Sequence, residues 1–232
     1  MNAEETWAGR LGTLGGLRTA NLGVSGYGSS QMAGLFARCA PRIRPKVVLA
    51  FLHADAPVVD FYLRLWKQER DRGGLLPWES RFVNYINHRQ FGLPPFFFRA
   101  AKTLWKHSMS FKLALPFILQ LSRSAKRRDE ALTAGMPILR ENVLRLKTQC
   151  RGMGAKLVVV LDPAWRRMNR EKLTELSDFL KDSGVMVIDL GPIFEKHSER
   201  KLRIALDPHW NKAGHELVGD EVFRVLSGEG LL

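Results

Sequence analysis

The sequence predicts an α/β protein, a three-layer α/β/α sandwich built on a parallel sheet. Short, nearly all-apolar runs alternate with longer amphipathic segments along the chain. Such alternation is typical of a parallel sheet that is covered by helices. The apolar runs also lack the polar alternation of a sheet with one solvated face, so their strands are expected to be buried on both faces.

Four segments have the composition of strands, and they lie at 17–24, 47–52, 155–161 and 185–190. A glycine-rich turn, 25–30, follows the first of them. Gly26 and Gly28 in this turn allow a positive φ and a close approach of substrate to the backbone. The turn is therefore a candidate part of a binding site.

The segments between these strands have the apolar spacing of helices. We predict helices over 7–14, 31–39, 61–72, 137–153 and 169–183, and a final helix after residue 211. Ser29 or Ser30 is a suitable N-cap for the second helix. Pro41 and Pro45 are expected to close the segment that this helix begins.

The middle of the chain differs from the rest in composition. Residues 1–62 and 136–232 are predicted to form the α/β core, and 63–135 a basic, aromatic-rich helical cap inserted into it. The cap could be a lid that supplies an apolar acyl pocket or rests on a membrane surface. The alternative is a helical subdomain that simply buries its own aromatic side chains.

The charge of the chain is strongly positive. The formal net charge is +13, and residues 61–136 contain 14 Lys and Arg against 5 Asp and Glu. A basic surface attracts nucleic acid, acidic polymers or anionic lipid. No helix-turn-helix, RNA-binding or zinc-finger pattern is present, so we expect a solvated basic face and no specific nucleic-acid partner.

Several other classes of site are not indicated. Cys39 and Cys150 are far apart and lack metal-ligand spacing, so neither a metal site nor a disulfide is expected, and both cysteines are predicted to be small buried residues on helices. No cofactor is expected. No apolar run reaches the length of a transmembrane span, and the chain shows no secretory signal; the sequence does not indicate a compartment.

One stretch near the end of the chain, 205–215, carries acid–base residues. It places Asp207 two positions before His209, ahead of the final helix. A carboxylate beside an imidazole is the acid–base half of a hydrolytic triad, in which the imidazole takes a proton from a nucleophile. The alternative is structural: Asp207 starts a turn with Pro208 and caps the helix, while His209 packs beside Trp210.

Three blocks of the sequence together resemble the SGNH/GDSL hydrolase family. They are the turn in Asn-Leu-Gly-Val-Ser-Gly-Tyr-Gly-Ser-Ser-Gln (21–31), the run Lys-Val-Val-Leu-Ala-Phe-Leu-His (46–53) and the motif Asp-Pro-His-Trp-Asn (207–211). The resemblance extends from about residue 4 to 226 with one long insertion. It implies a five-stranded, flavodoxin-like sheet, an oxyanion-hole glycine at Gly26, and an acid and base at Asp207 and His209.

The sequence departs from the family pattern at two blocks. The Gly-Asp-Ser block should precede Glu5, so the chain is expected to lack the first, central strand and its nucleophile, as in a fragment or a sequence with a misassigned start. The asparagine block reads His53-Ala54-Asp55, so Ala54 stands where a side-chain donor belongs. The side chains that could line the site are those of Ser25, His53, Ala54, Asp55 and Trp210.

The resemblance implies hydrolysis of a small-molecule, glycan or lipid ester. A serine activated by His209 would attack the carbonyl, but the nearest internal serines, Ser25, Ser29 and Ser30, are more consistent with turn and cap roles. We therefore expect an impaired or inactive enzyme, with little or no turnover of p-nitrophenyl acetate. The alternative is a catalytically dead homologue that binds a carbohydrate, lipid or anionic surface through the basic cap.

Overall fold

The computed structural model describes residues 3–24, 26–73, 82, 89, 125–168, 170–197, 199–204 and 209–232. The chain divides into two compact units. The first consists of Met1–Ser25, Gln31–Ala54 and Arg140–Leu232, and the second of Gly26–Ser30 and Asp55–Leu139. Most of the predicted cap, 63–135, lies outside the described residues, so its boundaries stay a prediction.

A parallel sheet forms the centre of the first unit. Its strands are β1 (Val47–Leu52), β2 (Lys156–Leu161) and β3 (Met186–Asp189), in the order β1-β2-β3. The register pairs Leu52 with Leu161, and Leu161 with Asp189. Because these paired residues are the last of their strands, all three strands end at the same level of the sheet.

The central strand β2 is covered on both faces. All five residues from Leu157 to Leu161 are buried. Val158 and Val160 belong to a core cluster that also contains Leu11 near the start of the chain and Val218 near its end. Because successive side chains of a strand point to opposite faces, the other buried residues of β2 face the opposite layer. This confirms the predicted α/β class with a parallel, doubly covered sheet.

The predicted strand over 17–24 is wrong. No residue of this segment forms a strand or a bridge. The preceding helix ends at Gly16, which has left-handed backbone geometry. The side chain of Asn21 then accepts a hydrogen bond from the Gly23 amide at 2.9 Å, which turns the chain locally. The segment is largely exposed, with Val24 at 45%, and therefore lacks the two-sided burial that its apolar residues suggested.

The predicted helices of the core are present, several with different bounds. Helix α2 continues past Pro41, and α4 begins well before its predicted start at Pro137. Both prolines therefore lie inside helices and not at helix ends. Short helices also occupy part of 191–206, where no element was predicted. The described helices are α1 (Trp7–Gly15), α2 (Ser29–Ile43), α3 (Ala56–Asp71), α4 (Ala125–Gly152), α5 (Ala164–Met168), α6 (Arg170–Asp182), α7 (Gly191–Glu195), α8 (Glu199–Leu202) and α9 (Lys212–Gly228).

The structure places both cysteines on helices, as predicted, but only one of them is buried. Cys39 on α2 is half-buried, Cys150 on α4 is buried, and both are free thiols. Burial raises the pKa of the Cys150 thiol to about 11, so it is protonated at neutral pH. Within the described ranges, no cluster of acidic, histidine or cysteine side chains could hold a metal ion, and no helix has the length and apolarity to cross a bilayer.

Candidate functional site

A histidine and an aspartate meet at the carboxyl edge of the sheet. His53 follows the last residue of β1, and Asp162 follows the last residue of β2. Because those last residues are paired in register, the two following side chains lie next to each other. The Nε2 atom of His53 is 3.1 Å from Oδ2 of Asp162. Ligands of open parallel α/β sheets bind at this edge.

The carboxylate of this pair is fixed by the backbone around it. Oδ1 of Asp162 accepts a hydrogen bond from the Ala164 amide at 2.8 Å, and the amide of Asp162 donates to the Leu52 carbonyl at 3.2 Å. The buried indole of Trp165 donates to the same carbonyl at 2.9 Å. The Asp162 side chain is only 7% exposed, whereas that of His53 is 55% exposed. A buried, immobilised carboxylate therefore holds an exposed imidazole.

This arrangement selects one tautomer of the His53 ring. An ionised carboxylate can only accept hydrogen bonds, so the Nε2 atom that faces Asp162 carries the proton. In the neutral ring, Nδ1 then carries the lone pair. The pair can consequently orient the imidazole and stabilise its protonated form, which are the two roles of the carboxylate in a hydrolytic triad.

The third strand ends in a different kind of pair. Oδ2 of Asp189 accepts hydrogen bonds from Nη2 and Nε of Arg166 at 2.8 and 3.2 Å, and Oδ1 accepts from the Gly191 amide at 2.8 Å. The hydrogen bond to Asp189 raises the pKa of Arg166 further above its usual value. This guanidinium stays charged at any accessible pH, so the pair cannot transfer a proton.

His209 is the predicted base, and it is exposed. Its backbone carbonyl accepts a hydrogen bond from the Ile204 amide at 3.0 Å, and its neighbour Trp210 forms an antiparallel bridge with Arg203. These contacts join Arg203 and Ile204 to His209 and Trp210. Asp207 lies outside the described residues, so the predicted pairing of Asp207 with His209 stays a prediction.

Trp210 anchors the His209 segment to the sheet. Its ring meets Phe51 of β1 edge-on at 5.6 Å between centroids and lies 5.3 Å from the ring of Phe194. Phe51 is close to the carboxyl end of β1, two residues before His53. The packing of Trp210 therefore keeps the His209 segment attached to β1, the strand that His53 follows. Its predicted role in lining a site stays a prediction.

The next histidine has a structural role, as expected from its place on a helix. Nδ1 of His215 on α9 accepts a hydrogen bond from the Trp7 amide at 3.3 Å, and its ring packs edge-on against Trp210. Burial lowers the pKa of His215, because the charged ring would lose its hydration. His215 is thus neutral at neutral pH and joins α9 to the start of α1.

In the second unit, the glycine turn is held by a buried aspartate. Asp60 of α3 is 1% exposed. Its Oδ2 accepts hydrogen bonds from the amide and hydroxyl of Ser29 at 3.0 and 2.5 Å, and its Oδ1 accepts from the Ser30 amide at 2.9 Å. Both amides belong to the first turn of α2. The cap of α2 is therefore this carboxylate, and not a serine hydroxyl as predicted.

The two glycines of the turn are required for different reasons. Gly26 has a φ of +77° and is exposed. At Gly28, an added Cβ would lie 2.6 Å from Oδ1 of Asp60, which leaves no room for a side chain. Burial is the largest influence on Asp60 and raises its pKa, against the hydrogen bonds that lower it. Ser25 lies outside the described residues, so its proposed place in a site is untested.

The two residues after His53 are also placed by the structure. Ala54 is fully buried and has no side-chain donor. Asp55 stands at the N-cap position of α3 without capping it, and its Oδ1 pairs with Nη2 of Arg128 at 2.6 Å in the second unit. Whether either residue lines a substrate site stays a prediction.

Sequence reasoning named His53 as a site candidate but did not join it to Asp162. The signal was present, since both residues directly follow apolar runs that were predicted as parallel strands. Only the register was missing, because a shift of one or two residues between β1 and β2 would have separated the side chains.

The described fold is similar to that of a known protein. No family model matches the chain, and no curated protein matches it. Among solved structures, the chain is similar to a proposed lipolytic protein of the G-D-S-L family from Desulfitobacterium hafniense DCB-2, with a TM-score of 0.57 at 11% sequence identity. The match covers 97% of this chain and 90% of that one. At this identity the likeness shows the fold alone: the chain has a GDSL-like α/β fold.

Proposed function

We propose that this protein hydrolyses carboxylic ester bonds, with His209 as the acid–base residue, Asp207 as its orienting carboxylate and Gly26 as an oxyanion donor. The observation that carries the proposal is the GDSL-like α/β fold. The lipolytic description of the structural neighbour and the Asp-Pro-His-Trp-Asn motif support the same reaction class.

In this scheme His209 takes a proton from the attacking nucleophile and returns it to the departing alcohol. The Gly26 amide stabilises the negative charge that develops on the carbonyl oxygen. Ala54 supplies no second side-chain donor, and removing one oxyanion donor typically lowers kcat about 10²–10³-fold. The enzyme is accordingly a slow one.

The rate should be low. The proposal assigns no nucleophilic side chain, and the acceleration of about 10³–10⁴-fold over water that hydrolases keep after losing a triad member comes from the oxyanion hole and substrate binding alone. We therefore expect little turnover of p-nitrophenyl esters, and we expect any turnover above this background to depend on His209.

The test is the hydrolysis of p-nitrophenyl acetate and butyrate by the wild type and by His209→Gln. The matched control is His197→Gln, because His197 is also an exposed histidine of the first unit and its Nδ1 atom bonds locally, to the Ile193 carbonyl at 2.9 Å. We expect His209→Gln to lose about 10²-fold in kcat/KM and His197→Gln to match the wild type. Turnover that survives His209→Gln would refute the assignment of the base.

A second function, suggested by the positive charge, is binding without catalysis. The net charge of +13 and its concentration in 61–136 would favour an anionic glycan or lipid surface. This function predicts that the wild type hydrolyses esters no faster than buffer but sediments with vesicles containing anionic lipid, and that added salt releases it. Turnover that depends on His209 would exclude the purely binding protein.

A further inference from the structure

We propose that the amino edge of the sheet is a docking surface for a bilayer of anionic phospholipid. This edge consists of the connections that lead from a helix into each strand: 44–46 before β1, 153–155 before β2 and 183–185 before β3. Because the strands are parallel, all three connections lie at the same end of the sheet. The Lys156 amide donates a hydrogen bond to the Lys46 carbonyl at 2.8 Å, which joins the first two connections directly.

The amino edge carries an unbalanced positive charge. The three connections and the helix and strand ends beside them, 38–46, 151–156 and 181–185, contain seven basic side chains and one acidic side chain. All seven are exposed, and within the part of the chain that the structure describes none of them is paired with a carboxylate. They are Arg38, Arg42, Arg44, Lys46, Arg151, Lys156 and Lys181. This basic surface is separate from the segment 61–136, and it attracts anions.

The helix ends account for only part of this charge. A basic residue in the last turn of a helix complements the negative end of the helix dipole. Helices α2, α4 and α6 each have one such residue, which are Arg42, Arg151 and Lys181. Arg44, Lys46 and Lys156 come after the helices and have no such role. Their charge is therefore available to a partner.

One of these cations stands at a backbone position that usually belongs to glycine. Arg44 has a φ of +50° and is the only residue other than glycine with a positive φ among the described residues. In the corresponding connections before β2 and β3, the left-handed residues are Gly154 and Gly184, with φ of +69° and +61°. A residue with a side chain is strained in this conformation, whereas glycine is not. Strain that is kept at one of three equivalent turns indicates a use for the arginine side chain.

Two exposed apolar side chains lie beside these turns. Ile43 directly precedes Arg44 and is 41% exposed, and Met153 directly precedes Gly154 and is 37% exposed. In a bilayer surface, cations meet the lipid phosphates while neighbouring apolar side chains enter the boundary with the acyl chains. A nucleic-acid backbone would use the cations alone. The combination of unpaired cations with exposed apolar side chains therefore favours anionic lipid.

The inference is independent of the proposed hydrolysis. The pair of His53 and Asp162 lies at the carboxyl edge, at the other end of the same strands. The six residues of β2 separate the two edges by about 17 Å. A bilayer at the amino edge would therefore leave this pair facing away from the lipid.

The test is sedimentation of the protein with vesicles of equal parts phosphatidylcholine and phosphatidylserine, compared with vesicles of phosphatidylcholine alone. The wild type should bind the anionic vesicles, and added salt should weaken the binding. Arg44→Gly/Lys46→Gln should bind about 25-fold more weakly, because each basic side chain near an anionic bilayer contributes about fivefold in affinity. Ile43→Ser/Met153→Ser should bind about tenfold more weakly, because it removes apolar surface that the bilayer would bury.

The matched control is Lys196→Gln/Lys201→Gln. It removes the same charge from two exposed lysines of the segment that follows the carboxyl end of β3, and it should bind like the wild type. Thermal melting separates binding from folding. Arg44→Gly should melt at or above the temperature of the wild type, because glycine adopts the positive φ without strain.

Four outcomes would overturn the proposal. The first is a wild type that does not sediment with the anionic vesicles. The second is unchanged binding in Arg44→Gly/Lys46→Gln, which would assign the binding to another part of the chain. The third is an equal loss in the lysine control, which would mean that net charge alone decides. The fourth is a wild type that binds single-stranded DNA while Ile43→Ser/Met153→Ser keeps its full affinity for vesicles, which would make the surface a nucleic-acid site.

Discussion

Two strand ends of the same sheet carry an aspartate in the same local structure, but with different partners. Asp162 after β2 binds the exposed imidazole of His53, and Asp189 at the end of β3 binds the guanidinium of Arg166. Each aspartate also accepts a hydrogen bond from the amide two residues further on, at 2.8 Å in both cases. At both strand ends, the aspartate side chain therefore supplies the acceptor for a backbone amide in the turn that follows the strand.

The partners separate a structural pair from a chemical one. Arg166 is bound by two carboxylates, Asp189 and Glu195, and its charge is permanent. The His53 side chain is more than half exposed, and the carboxylate behind it is nearly inaccessible to solvent. The same kind of capped carboxylate thus holds a permanent charge at one strand end and an exposed imidazole at the other, so the carboxylate alone does not mark a functional site.

The largest expected effect concerns stability. Asp162→Ala should lower the free energy of unfolding by about 1–3 kcal/mol, because it leaves the Ala164 amide without its acceptor in a buried turn. Asp189→Ala removes a partly exposed pair, in which solvent screening leaves a smaller gain, so about 1 kcal/mol is expected. Urea unfolding of the two variants gives the comparison. A larger loss at Asp189 would show that its ion pair is the stronger structural element.

The smallest effect comes from His215, which shows how a structural histidine in this protein differs from His53. Burial holds its folded pKa below the usual 6.5. As the pH falls, the unfolded chain therefore gains a proton before the folded one does. The contribution of His215 to stability is fully present above the unfolded pKa and is lost as the pH falls through the folded pKa.

The check is thermal unfolding of the wild type and of His215→Gln at several pH values across this range. The melting temperature of the wild type should fall more steeply on acidification than that of the variant, whose side chain does not titrate. Parallel curves would mean that the folded His215 binds its proton as readily as the unfolded one.

The strands of the core could be predicted from the sequence because their signal is local. A run such as Leu157–Leu161 is apolar at every position, and only a strand covered on both faces buries all of it. The segment 17–24 has a similar composition, but a strand exists only where a neighbouring strand pairs with it. No described residue pairs with 17–24, and Asn21 turns the chain instead.

The contacts of the candidate site depend on tertiary structure and were less predictable. His53 and Asp162 are far apart in the sequence and meet only because β1 and β2 end in register. Asp60 likewise caps a helix that begins at Ser29, on another element. The motif with Asp207 and His209 could be recognised because its two residues are close together in the sequence. A short motif of this kind does not predict which residues from other parts of the chain surround the two side chains.

The most direct test of the account is the tautomer of the His53 ring. Long-range nitrogen–proton NMR of the wild type and Asp162→Asn, with His53→Gln used to assign the signals, reports which ring nitrogen carries the proton. The account predicts a neutral His53 protonated at Nε2 in the wild type, and a weaker preference in Asp162→Asn. A ring protonated at Nδ1, or one indifferent to the substitution, would contradict the claim that Asp162 orients the His53 ring.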